Sequence, residues 1–264
     1  MLGESCLRFQ WMFGLKGLRR RRLRRQGIPR EWRWVLEQEV LLYRRLPLRD
    51  REELHGHLQV LLAEKRFLGA WGIEVSQEMR LVVLAHAALL LLHRPTDYYP
   101  HFRTVILFPT TYLAPQRVMG AGGVVIEGYE ARSGESWQRG PVVLSWEEAR
   151  RSARGELGCR NIILHEFAHQ LDYEDGFAEG APALPSPEMY RSWAATFSRE
   201  YARLQDALEM GKETLLDPYG ARSPAEFFAV ATEAFFMCPR ELQAGHPGLY
   251  RELSTYYRQD PASW

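Results

Sequence analysis

The sequence has few cysteines and no bias in net charge. Its 264 residues contain three cysteines, Cys6, Cys159 and Cys238, and no CxxC pair. This usage is typical of a reducing compartment and argues against a disulfide framework. The formal net charge is +1, so the chain as a whole carries no preference for nucleic acid or acidic substrates.

Long apolar runs are also missing. The strongest, "LVVLAHAALLLL" at 81–92, has twelve residues, whereas a membrane-spanning helix needs roughly 20. It therefore predicts a buried core helix. At the start of the chain the arginines follow the apolar residues, the reverse of the order in a secretory signal. We expect a cytoplasmic protein.

What is present indicates an α+β fold that is mostly helical. Residues 1–30 form a basic arm with six arginines between Arg19 and Arg25, and we expect this arm to be disordered or bound to an anionic surface. The remaining residues, 31–264, are expected to form a single domain. Within it the pattern predicts a helical part at 31–100, a small mixed sheet at 101–146 and helices that carry the active site at 156–264.

The stretch "NIILHEFAHQLDYEDG", residues 161–176, has the spacing of a zinc site. On a helix His165 and His169 lie on one face and can reach the same Zn²⁺ ion. Glu166 between them can take a proton from a zinc-activated water. Asp172 shares the face of the histidines and can accept the free ring N–H of a ligand. The alternative is a helix whose histidines bind nothing.

A third ligand must come from elsewhere. The helix in "YGARSPAEFFAVATEAFF", residues 219–236, carries Glu226 and Glu233 on one face. "SPAE" is also a helix start, with Ser223 as N-cap and Glu226 as its capping-box partner. Spacing alone leaves both roles open for Glu226.

Three segments together resemble the Mlc titration factor A family of zinc peptidases. They are "GPVVLSW", "NIILHEFAHQLDYEDG" and "DPYGARSPAEFFAVATEAFF", in that order. This family is similar to the metallopeptidase core of anthrax lethal factor, which implies a zincin-like fold. The resemblance covers roughly residues 30–260, and we expect the arginine-rich arm to lie outside it.

The resemblance implies roles for further residues. It makes Glu226 the third zinc ligand, places Tyr219 beside the site and leaves Glu233 as a partner of a nearby basic group. A tyrosine hydroxyl there could stabilise the oxyanion. The segment "VVLSW", 142–146, is expected to be an edge strand that could pair with an extended substrate.

The expected function is zinc-dependent hydrolysis of peptide bonds, aminopeptidase-like on short substrates. The family name also keeps open a regulatory role, in which the protein binds a transcription repressor and that partner modulates the zinc site. No direct contact with nucleic acid is expected. A weak contact with an anionic surface through Arg19–Arg25 is the remaining partner hypothesis.

Overall fold

The computed structural model describes residues 15–119, 125–132, 134–136 and 140–264, with the backbone alone between 112 and 136. Its helices are α1 (15–24), α2 (Arg30–Glu39), α3 (Leu41–Arg45), α4 (Leu48–Glu64), α5 (Gln77–Leu89), α6 (Trp146–Arg154), α7 (Ile162–Asp172), α8 (Pro187–Glu209), α9 (Pro224–Met237), α10 (Pro239–Gly245) and α11 (Pro247–Tyr257). Its strands are β1 (Arg66–Gly69), β2 (Thr104–Phe108), β3 (Tyr112–Met119), β4 (Val125–Arg132), β5 (Gly134–Ser136) and β6 (Val142–Ser145). The prediction of a mostly helical α+β fold is confirmed.

The sheet that borders the site has the order β1-β2-β6-β5. Strands β1, β2 and β6 run parallel, and β5 pairs antiparallel with β6. Strands β3 and β4 form a separate antiparallel hairpin. The mixed sheet agrees with the expected fold class.

Two predictions about strands were wrong. Strand β1 interrupts the segment predicted as helical, 31–100, because four residues after α4 find a parallel partner in β2. Strand β6 is not an edge strand, since β2 pairs with one side and β5 with the other. In both cases the outcome depends on pairing with other strands, which local sequence patterns do not specify.

Helix α5 forms the centre of the core, as its apolar run predicts. Its residues from Leu81 to Leu89 are all buried. Ser76 caps its first turn by accepting the N–H of Met79. Across the described residues, no helix has the length and apolarity that spanning a membrane would require.

Helix α1 lies on the body of the protein. Arg20 donates two hydrogen bonds to the carboxylate of Glu64, both at 2.8 Å, and it also pairs with Asp97. Lys16 lies 3.2 Å from Asp97, and Arg24 lies 3.6 Å from Glu53. Part of the segment expected to be a disordered arm is therefore a bound helix, because its cations meet acidic residues of the body. Residues 1–14 of that arm lie outside the described residues.

A disulfide bond joins the two helices that form the candidate site. Cys159 precedes α7 and Cys238 ends α9, and their sulfurs are bonded although 79 residues separate them. The sequence argued against disulfides, so this expectation was wrong. The two cysteines meet because the start of α7 lies beside the end of α9. Cys6 lies outside the described residues.

Candidate metal centre

Helix α7 is held at its start by a side-chain cap and along one side by the core. The side-chain oxygen of Asn161 accepts the N–H groups of Ile163 and Leu164, both at 3.1 Å. Five apolar residues of the helix are fully buried, namely Ile163, Leu164, Phe167, Ala168 and Leu171. Because these residues recur with helical spacing, the opposite side of α7, with His165 and His169, turns away from the core.

Three potential metal ligands converge between α7 and α9. The Nε2 atoms of His165 and His169 are 3.2 Å apart. The Oε2 atom of Glu226 lies 3.0 Å from the first nitrogen and 3.3 Å from the second. Among the described residues this is the single group of three His, Cys, Asp or Glu side chains that could hold a metal ion.

These spacings fit a tetrahedral zinc ion. Ligand atoms about 2.0–2.1 Å from such an ion stand roughly 3.3–3.4 Å apart. The three separations, 3.0, 3.2 and 3.3 Å, are close to that value. Two imidazole nitrogens and one carboxylate oxygen are also a donor set found in catalytic zinc sites.

Glu233 fixes the ring of His165. Its Oε1 atom lies 2.7 Å from Nδ1 of His165, and its Oε2 atom accepts the backbone N–H of Asn161. A carboxylate at Nδ1 favours the tautomer with the proton on Nδ1, which leaves the Nε2 lone pair free for a metal. The basic group that contacts Glu233 is thus His165, a histidine of the candidate site.

Glu226 takes part in the helix cap through its backbone and faces the histidines with its side chain. Its backbone N–H donates to Ser223 Oγ at 3.2 Å, which caps α9. Its side chain points to His165 and His169 instead of closing a capping box. The cap and the candidate ligand use different atoms of the same residue, so one role does not exclude the other.

Electrostatics couple these groups. Burial alone would lower the pKa of His165, but the hydrogen bonds that its ring makes to the carboxylates of Glu226 and Glu233 raise that pKa well above its usual value. Burial alone would raise the pKa of Glu226, but His165 and His169 hold that pKa well below its usual range. Without a metal the pocket therefore favours a protonated imidazole, and a bound cation would replace that proton.

The two acidic residues of α7, Glu166 and Asp172, are both buried. Glu166 is 4% exposed, and its charge contributes to the raised pKa of His165. Asp172 is also buried and accepts the backbone N–H of Gly180 at 2.9 Å. This contact ties the end of α7 to the loop before α8. Its role as a partner of a zinc ligand stays a prediction.

Tyr219 lies beside the histidines in a short 3-10 turn, Pro218–Arg222. Its ring centre is 5.9 Å from that of His165, and the side chain is 39% exposed. The guanidinium of Arg222 lies 4.3 Å above the tyrosine ring. The residue is therefore partly exposed to solvent at the side of the site.

Sequence reasoning missed three supports of the site: Asn161, Arg222 and the Cys159–Cys238 pair. Asn161 was detectable, because an asparagine directly before an apolar helical run is an N-cap signal. The stacking of Arg222 and the disulfide have no local signal. Both depend on which helix ends meet in the folded chain.

The sequence matches a known family of peptidases over nearly its whole length. Residues 15–258 match the family described as glucose-regulated metallo-peptidase M90. The chain belongs to this metallopeptidase family. The resemblance seen in the motifs is confirmed. The match begins at residue 15, so the expectation that the arginine cluster lies outside the resemblance was wrong.

Individual relatives are similar over most of their length. An uncharacterized protein of Synechocystis sp. is 36% identical over 244 residues, which cover 92% of this chain and 89% of the relative. The Mlc titration factor A of Yersinia enterocolitica is 30% identical over 236 residues, 88% of this chain and 86% of the relative. The protein of that name in Yersinia pestis is 31% identical over 215 residues, 80% and 78% of the two chains.

Proposed function

We propose that this metallopeptidase is a zinc enzyme that hydrolyses peptide bonds, with His165, His169 and Glu226 as the metal ligands. The observation that carries the proposal is the convergence of three donor atoms at separations of 3.0–3.3 Å. Three protein ligands leave the fourth position of a tetrahedral ion for water or substrate. A purely structural zinc site would fill all four positions with side chains.

Side chains of the protein are proposed to transfer the proton, orient a metal ligand and stabilise the oxyanion. A bound zinc ion would lower the pKa of a water molecule to about 7 and polarise the substrate carbonyl. Glu166 is proposed to accept the proton of the attacking water and to pass it to the leaving amine. Glu233 keeps the imidazole of His165 in the tautomer that binds metal. Tyr219 is proposed to donate a hydrogen bond to the oxyanion.

The proposed substrates are short peptides, cleaved in an aminopeptidase-like manner, which follows from the family resemblance. Strand β5 lies against α7 at the end of the sheet, so it replaces β6 as the strand that an extended substrate could pair with. We further propose that the enzyme works in the cytoplasm. Its disulfide would then depend on the redox state of that compartment.

A second candidate function is regulatory. Relatives bear the name Mlc titration factor A, and the family resemblance implies capture of a repressor. In that role the protein would bind a transcription repressor, and the partner would modulate the zinc site. The two functions can be separated, because repressor binding does not require the proton transfer assigned to Glu166.

Metal analysis tests the ligands. Protein never exposed to chelators should hold close to one zinc per chain, and Glu226→Ala should hold far less. The matched control is Glu148→Ala, because Glu148 occupies the same place after the capping serine of α6, where Ser145 accepts its N–H. If both variants kept zinc equally, Glu226 would be a helix-start residue only. Absence of zinc in the unmodified protein would refute the proposal.

Turnover tests the base. Glu166→Gln keeps the size of the side chain but cannot accept a proton, so zinc content should stay and hydrolysis of aminoacyl and peptide chromogenic substrates should fall by more than roughly 100-fold. A panel with and without chelator also reports the substrate class. Near-normal turnover in this variant would remove Glu166 from the mechanism. Repressor binding by a variant without turnover would favour the regulatory function.

A further inference from the structure

Helix α1 is fixed to the protein through one side only. Lys16, Arg20 and Arg24 follow one another at intervals of four residues and therefore share a face. They pair with Asp97, Glu64 and Glu53, respectively. The guanidinium of Arg20 also lies 4.6 Å above the ring of Tyr98. This face sets the orientation of the helix on the body.

The opposite face of α1 is both apolar and cationic. Leu15 and Leu18 are 59% and 62% exposed. Arg21 and Arg22 lie on the same outward side, and neither makes an ion pair with any residue that the structure describes. Two exposed leucines between unpaired arginines are the pattern of a helix that lies in a membrane interface.

A basic cleft of about 370 Å³ lies between α1 and the body of the protein. Arg19, Arg66 and Arg103 line it together with Lys16. The acidic residues in its wall, Glu64 and Asp97, are already paired with Arg20. The cleft therefore has a surplus of positive charge and the donors that a phosphate group needs.

Charge is divided unevenly between residues 15–25, which contain α1, and the rest of the chain. Residues 15–25 contain seven lysines or arginines and no acid. The other residues hold 27 basic and 33 acidic side chains, so their formal net charge is −6. Near an anionic surface the helix is attracted and the body is repelled, which orients the molecule with α1 toward that surface.

We propose that α1 docks the protein onto an anionic lipid bilayer. Leu15 and Leu18 enter the interface between headgroups and acyl chains. Arg21 and Arg22 pair with lipid phosphates, and the cleft of Arg19, Arg66 and Arg103 receives a headgroup. Nucleic acid would satisfy the arginines but would leave the two leucines exposed, so the bilayer is the better match for the whole face.

Sedimentation with vesicles tests this inference in the full-length protein. Phosphatidylcholine vesicles that contain phosphatidylserine should bind it at least roughly 10-fold more tightly than phosphatidylcholine alone, and high salt should weaken the binding. Arg21→Gln/Arg22→Gln should weaken it by roughly 25-fold, about fivefold for each charge. Leu15→Ser/Leu18→Ser should weaken it by roughly 10-fold or more.

A control variant removes two positive charges from exposed residues outside α1. Lys212 and Arg251 are exposed on other faces, so Lys212→Gln/Arg251→Gln should leave vesicle binding within about twofold. All substituted side chains are exposed, so the thermal unfolding of each variant should match that of the parent protein. Peptide hydrolysis without vesicles should also be unchanged, which separates this inference from the proposed enzyme activity.

Three results would overturn the inference. The first is equal binding to vesicles with and without phosphatidylserine. The second is unchanged binding by both α1 variants. The third is tight binding to duplex DNA that Arg21→Gln/Arg22→Gln weakens and Leu15→Ser/Leu18→Ser does not, which would make α1 a nucleic-acid contact instead.

Discussion

His165 is contacted by two carboxylates, one on each ring nitrogen. Glu226 faces Nε2 at 3.0 Å and Glu233 faces Nδ1 at 2.7 Å. Both come from α9, seven residues apart, so one helix face supplies a candidate ligand and the group that orients another ligand. The sequence placed these acids on one face, but it could not say which ring atoms they would meet. That depends on how α9 packs on α7.

Tyr219→Phe tests the one site residue that we propose to act only in the transition state. The change removes the hydroxyl and leaves the ring beside His165 and under Arg222. Zinc content and KM should change little, because the hydroxyl matters when charge develops on the carbonyl oxygen. The expected result is a fall in kcat of roughly 10- to 1000-fold, measured with a chromogenic peptide.

Tyr201→Phe is the control for this change. Tyr201 donates to the carbonyl of Ala221 at 2.9 Å and so supports the same 3-10 turn without facing the histidines. If it lowered kcat as much as Tyr219→Phe, the turn's position would be the cause. A zinc-loaded Tyr219→Phe enzyme with normal kcat would leave catalysis to the metal and Glu166.

At the scale of elements, the candidate site depends on the pairing of α7 with α9. Two bonds link the start of α7 to α9. One is the Cys159–Cys238 disulfide, and the other is the hydrogen bond in which Glu233 accepts the N–H of Asn161. Periodicity predicted both helices, since each has an apolar face and a capped start. The strands were harder to predict. β1 has four residues, and its existence depends on pairing with β2.

Removing the disulfide should destabilise the protein. The bond closes a loop of 79 residues, which corresponds to roughly 2–4 kcal/mol of unfolding free energy. Cys159→Ala/Cys238→Ala should therefore unfold at lower urea concentration, and reductant should shift the unmodified protein by a similar amount. Cys6→Ala is the matched control. It should change neither the urea midpoint nor the size of the shift that reductant causes. Identical midpoints with and without reductant would show that the bond does not form in solution.

At the scale of the whole molecule, an ion-pair cluster joins α2 near the start of the chain to α6, the helix that precedes α7. Glu39 on α2 accepts hydrogen bonds from Arg154 at 2.7 and 2.8 Å and from Arg150 at 3.0 and 3.3 Å. The two arginines are on α6, more than a hundred residues away. Hydrogen bonds from Arg154 and Arg150 lower the pKa of Glu39 from 4.5 to about 2, against the opposing effect of burial.

This cluster predicts a loss of stability in acid. The folded pKa of Glu39 is below its unfolded value, so its contribution is complete above pH 4.5 and is lost as the pH falls toward 2. We expect about 1–3 kcal/mol, reduced from the full shift because the arginines are 37–40% exposed. Urea unfolding should show Glu39→Gln less stable than the parent at pH 7, with the difference shrinking in acid.

Glu31→Gln is the control, because Glu31 is exposed on the same helix and makes no ion pair among the described residues. It should leave stability at pH 7 nearly unchanged. A difference between the parent and Glu39→Gln that stayed constant from pH 7 to acid would contradict the prediction.

The sequence by itself determined the parts of this protein that depend on local spacing. His165, Glu166 and His169 lie within one helical turn, and the apolar residues around them repeat with the period of a helix. Their shared face was therefore predictable without coordinates. The same holds for the cap at Ser223 and the buried helix α5, since both follow from neighbouring residues.

Tertiary structure decided what depends on residues far apart in the chain. The distance between Glu226 and His165, the pairing of Cys159 with Cys238 and the binding of α1 to Glu64 and Asp97 each join segments 44 or more residues apart. No local pattern specifies such contacts. They follow from the packing of whole helices, where the burial of many side chains outweighs the preference of any one residue.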